Sequence, residues 1–288
     1  MKILPFLILS CFLSTLAFGQ IDEHEAWKKE RAKELLQEDG WINLIGLLWI
    51  DSNTAYLNQV SGDKLEVSGE IKGTNIGQFH FLQDSVWFVY DPELRNKSGE
   101  SIPEKALVYP LEYGKGGGAY YERWKWTVIE RGGQFGVRLR DLKHPGVLEF
   151  QGLPYYPYNQ DFRVKAFFEP KFNQTMDIPN VLGQVIEWKV MGILKFELQG
   201  KALELTVLDE LGKFFVIFSD QTNGSETYPT GRYLYVDYPD RTGHTWIDFN
   251  YAYNPPCAFT AYATCPIPPR ENRLEVGILA GEQMPEGH

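Results

Sequence analysis

The stretch "TWIDFN" places Asp248 and Asn250 two residues apart. In an extended strand, positions i and i+2 share a face, so a carboxylate and an amide are presented together, with Phe249 on the opposite side. Upstream, "SDQTNGSETYPTGRY" gathers Asp220, Tyr228 and Arg232 around a tight loop between two apolar segments. In "GVRLRD", Arg138 and Arg140 share a face and Asp141 lies opposite. A carboxylate such as Asp248, with Arg232 or Arg138 as its electrostatic partner, could act as the base of a hydrolase or lyase. The same residues could anchor a small ligand, or form buried ion pairs that serve only the fold.

Other chemistries find less support. There are five histidines. His24 falls in a helix expected on the surface, His80 between two phenylalanines of a strand, His144 before a proline and His244 in a hairpin loop, while His288 is terminal. No Gly-x-Ser-x-Gly elbow accompanies them, which disfavours a serine hydrolase. No Cys-x-x-Cys, His-Glu-x-x-His or calcium-loop spacing is present, so neither a metal nor a cofactor is expected. The formal net charge of −10 disfavours nucleic acid and anionic membranes as partners.

Residues 1–19 read as a signal peptide, with Lys2 followed by an apolar run and small residues at Ala17 and Gly19. Cleavage is expected after Gly19, giving an exported protein, periplasmic or secreted. Lipid attachment at Cys11 is a lesser alternative. No later apolar run approaches the roughly 18 residues of a membrane span. Cleavage would leave two cysteines, Cys257 and Cys265, and an oxidising compartment favours their pairing.

The elements that must position these residues are mostly strands. Residues 20–40 form an N-terminal helix, with Trp27, Arg31, Glu34 and Leu35 on one docking stripe. From residue 41 onward, aromatic and β-branched residues alternate with polar ones, and turn signals recur every eight to twelve residues or so. The pairs "GQFHFL"/"VWFVY" and "WKWTVIE"/"FGVRLRD" read as hairpins, and "RYLYVDY"/"TWIDFN" flank a third turn. "FRVKAFFEP" reads as a strand ended by Pro170, and "VIEWKVMG" and "ILKFELQG" as two strands separated at glycine. Hydrophobic residues at 43% of the chain suffice for a large core. The expected fold is mostly β: an antiparallel barrel or two-layer sandwich of residues 41–288, with a short helix outside.

The segment "DFNYAYNPPCAFTAYATCPIPPRENRLEVGILAGE", with "TYPTGRYL", "GVRLRD" and "DGWINLIGLLWI", resembles the DUF1684 family over about residues 25–285. That resemblance implies a bacterial protein, often exported, of unknown function, and brings no catalytic residue with it. The prolines of "NPP" and "CPIPP" exclude an interior strand. This segment is therefore expected to cross one end of the β-structure as a pinned cover. Asn250, Asn254 and Asn272 would satisfy backbone groups there, and "RLEVGIL" would return as a final strand. A pocket lined by Tyr251, Tyr253, Phe259 and Tyr262 would suit a small ligand. The functional expectations are thus a small-ligand binder, an Asp248-based enzyme, or a structural envelope protein.

Overall fold

The computed structural model describes residues 6–50, 54–97, 99, 101–111 and 117–285, with side chains from Gln20 onward. Lys2 and the start of the apolar run expected to be a leader lie outside the described residues. The chain opens with helix α1 (Phe6–Leu36). Nine strands follow: β1 (Leu44–Ile50), β2 (Ala55–Ser61), β3 (Lys64–Ser68), β4 (Thr74–Leu82), β5 (Ser85–Tyr90), β6 (Lys105–Tyr109), β7 (Ala119–Tyr121), β8 (Trp124–Arg131) and β9 (Gln134–Asp141). Six more complete the chain: β10 (Arg163–Pro179), β11 (Val185–Leu198), β12 (Lys201–Glu210), β13 (Lys213–Phe218), β14 (Arg232–Val236) and β15 (His244–Asp248).

The fold is mostly β, as the alternation implied, and the pairings between these strands are all antiparallel among the described residues. Three sheets form, in the orders β1-β9-β8-β7, β3-β2-β4-β5-β6 and β14-β13-β12-β11-β10-β15. The first two share one core, in which Trp126, Phe79, Phe88 and Leu57 are wholly buried. The six-stranded sheet curls into a half-barrel. Its end strands approach each other where the Thr245 hydroxyl donates to the Asp237 carbonyl at 2.9 Å. Leu194, Leu205, Val216, Leu234 and Ile247 line its interior.

Local sequence explains the turns. Gln199-Gly200 (φ +53° and +73°) joins β11 to β12 with both residues left-handed, the geometry that matches strand twist in a two-residue hairpin. Four expectations need correction. Gly192 does not separate two strands but sits inside β11, beside a register shift between Val190 and Gly192. A Cβ there would meet the Glu169 carbonyl oxygen at 2.4 Å, so glycine permits the close approach. Pro170 does not end β10, because its missing donor falls at a second register shift. The strands β14 and β15 are not a paired hairpin, since β15 bonds to β10 instead.

Finally, "RLEVGIL" is not a strand. Leu274, Val276, Ile278 and Ala280 run through the half-barrel as irregular chain and fill its interior. The loop before them is pinned as expected: a disulfide joins Cys257 and Cys265, with Cα atoms 6.2 Å apart. Asn272 donates to the Thr206 and Ile217 carbonyls at 2.9 Å each, and Asn254 donates to the Gln283 carbonyl at 2.7 Å.

Candidate functional site

On the six-stranded sheet, Ile247 and Phe249 point into the core while Trp246 and Asp248 point outward. Asp248 therefore lies on the convex side, at the seam between β15 and β14. The C-terminal half of α1 covers this seam through residues spaced on one face: His24, Trp27, Arg31 and Leu35. Contrary to the surface position expected of it, His24 is 1% exposed. Its ring stacks on Trp27 at 5.6 Å and meets Tyr251 edge-on at 5.1 Å. Its Nε2 donates to the Asn250 carbonyl at 2.8 Å, which leaves Nδ1 buried without a partner.

Between α1 and the seam lies a cleft of about 480 Å³. Trp27, Tyr235, Trp246, Tyr251 and Tyr253 give it an aromatic lining, and Gln20, Glu23, Arg163, Lys213, Asp237 and Asp248 supply polar groups. Two of the four aromatics expected to line a site, Tyr251 and Tyr253, are here. Phe259 instead packs under Arg31, and Tyr262 stands partly exposed elsewhere.

Within the cleft Asp248 has an arginine partner, but it is Arg163 (Nε to Oδ2, 3.5 Å), not Arg232 or Arg138. The reason is register: Arg163 on β10 stands directly opposite Asp248. Tyr158 donates its hydroxyl to Asp248 Oδ2 at 3.1 Å, and Asn250 donates its backbone N–H and Nδ2 to Oδ1 at 3.1 and 2.7 Å. Asn250 is buried and exchanges two further bonds with the backbone of Asn159. Arg163 also lies over Trp246, 4.3 Å from the ring centre. Burial, with Asp248 and Glu23 nearby, pushes the Tyr251 hydroxyl up to about 12, so it stays protonated as a donor at neutral pH.

The remaining candidates occupy two other places. Arg232 and Asp220 form an ion pair at 2.8 Å with no side-chain exposure. Arg232 also donates to the carbonyls of Ile278 and Ala280, and Asp220 accepts from Thr222 and the Ile278 N–H. This knot ties the strand to the tail, and desolvation lowers the Arg232 guanidinium below its ordinary value. Tyr228, buried to 8% exposure, belongs to the loop of this knot. Arg138 lies apart on β9, with its guanidinium 4.9 Å from the centre of the Trp41 ring.

Residues 148–283 match the family model of DUF1684, a protein of unknown function. Over this span the chain is a DUF1684 protein. The resemblance read from the sequence is therefore present, although the match starts later than residue 25. The DUF1684 span supplies Tyr158, Arg163, Trp246 and Asp248, while α1 and Arg138 lie outside it. An uncharacterized protein of Haloarcula marismortui, solved in solution by NMR, is 31% identical. That match covers 49% of this chain and 80% of the other, with a TM-score of 0.41. No curated protein matches. Among the described residues no helix is long and apolar enough to cross a membrane, and no cluster of potential metal ligands occurs.

The partners that sequence reasoning missed are Arg163, Tyr158 and His24, whereas Trp27 belongs to the docking stripe read from the sequence. Alternation on "FRVKAFF" signals a strand, but nothing local says that its first residue faces Asp248.

Proposed function

We propose that this is an exported protein that binds a small molecule in the seam cleft. Export rests on the charged start, the apolar run and the small residues before Gln20. Binding rests above all on one observation: five aromatic side chains converge on a cleft of about 480 Å³ that also holds a fixed Asp248–Arg163 pair. Apolar walls with a few oriented polar groups are what small-ligand sites require. Mass spectrometry of native protein should find a retained compound that is lost on Trp246→Ala. Recovery of none, together with failure of a broad metabolite panel to shift the melting temperature, would refute binding. N-terminal sequencing of the mature protein should begin at Gln20.

A second reading, a hydrolase or lyase using Asp248, is favoured by the arginine beside it and by a side chain that keeps 16% exposure. Against it, Oδ1 already accepts two hydrogen bonds and Oδ2 accepts one with Arg163 beside it at 3.5 Å, so little of the carboxylate is left to take a proton from substrate. Asp248→Asn separates the two readings. Loss of turnover with binding intact would favour the enzyme.

A further inference from the structure

Away from the cleft, β8 and β9 present a row of cations on the face opposite their shared core. Lys125 stands across from Arg140, and Thr127 across from Arg138. Arg131 follows on the same face of β8. Among the described residues, carboxylates pair with Lys125 at one end of this row, and Glu130 lies near Arg131 at the other. Lys125 takes Asp39 at 2.9 Å and Glu38 at 3.3 Å, and Arg140 donates to the backbone carbonyls of Asp39 and Gly40. Arg138 has neither. Among the described residues its Nε is buried with no acceptor, and its neighbours in charge are Arg140 and Arg131. Burial, reinforced by those two cations, pushes its guanidinium down to about 9, so it remains charged at neutral pH.

A desolvated cation without a counter-charge is costly, and replacing it with an apolar residue would ordinarily relieve that cost. Trp41 holds the guanidinium from one side, and the side chain is only half-buried. A guanidinium held this way can offer a two-pronged edge of N–H donors, the geometry that suits a carboxylate or phosphate.

We propose that Arg138 is the centre of an oxyanion site that binds the carboxylate or phosphate group of a small molecule. The site is independent of the seam cleft. Arg138 lies on β9 of the four-stranded sheet and Trp41 just before β1, and neither lines the cleft.

The test is thermal melting of wild type, Arg138→Met and Arg138→Lys in chloride, with acetate or inorganic phosphate exchanged in at constant ionic strength. Wild type should show a saturable rise in melting temperature with at least one oxyanion, and which one responds assigns the chemistry. Arg138→Met should lose the response and melt no lower than wild type in chloride. Arg138→Lys keeps the charge without the fork, and should bind about tenfold more weakly. It also carries the test if the methionine variant does not fold. An absent response in wild type, or one unchanged in both variants, overturns the proposal.

Discussion

Arg31 on α1 donates from Nε to Oε1 of Glu282 at 3.0 Å, joining residues 251 positions apart with both side chains buried. Arg31 also donates to the Asn254 carbonyl, and the second Glu282 oxygen accepts the Asn254 N–H at 2.7 Å. The pair thus clamps the helix, the pinned loop and the C-terminal tail together. Removing one partner strands the other charge in the interior. Arg31→Met should cost about 3–5 kcal/mol in urea unfolding. The double variant Arg31→Met/Glu282→Gln should recover part of that loss, because no full charge is left behind.

His24 predicts a pH dependence. Burial lowers its folded-state pKa below the ordinary value. The unfolded chain takes up a proton below about pH 6.5 and the folded one resists it. The stability tied to His24 is therefore complete above that pH and declines as pH falls towards the folded value. His24→Gln can still donate to the Asn250 carbonyl but cannot titrate. Its chemical-denaturation stability between about pH 7 and 5 should decline less than that of wild type.

Asp248→Asn should uncouple binding from stability. The new amide keeps one acceptor for Asn250 but loses the charge facing Arg163 and Tyr158. A stability loss of about 1–2 kcal/mol is expected from the weakened hydrogen bonds. Retained ligand in native mass spectrometry should fall much further, and Arg163→Met should give the same binding loss. Unchanged ligand retention in both variants would remove the pair from the site.

The disulfide spans a separation of eight residues. Replacing both cysteines by alanine should cost about 2–3 kcal/mol on the chain-entropy estimate. Unfolding curves of wild type with and without reductant should reproduce most of that difference.

Local signals carried much of this architecture. Alternation in Phe196, Leu198, Leu203 and Leu205 marks β11 and β12 because side-chain period and burial coincide there. Cys257 and Cys265 could be paired because they lie in one short segment. The Asp248–Arg163 pair was hidden because it depends on which strand lies beside β15, and the loop before β15 gives no sign that the chain pairs with β10. His24 was misplaced for a related reason. A helix rich in charged residues looks solvated until the surface that receives it is known, and Asn250 and Tyr251 lie more than 200 residues downstream. Gly192 and Pro170 read as breaks because a bulge and a turn use the same residues.

The half-barrel is filled by Leu274, Val276, Ile278 and Ala280, which follow every strand that encloses them. Its strands can pair as they emerge, but their interior face stays hollow until the last stretch of chain arrives. Synthesis therefore delivers the wall before its contents. If the chain is exported as proposed, that order would delay compaction until translocation is nearly complete. It would keep the polypeptide threadable on one side of the membrane and let it consolidate on the other.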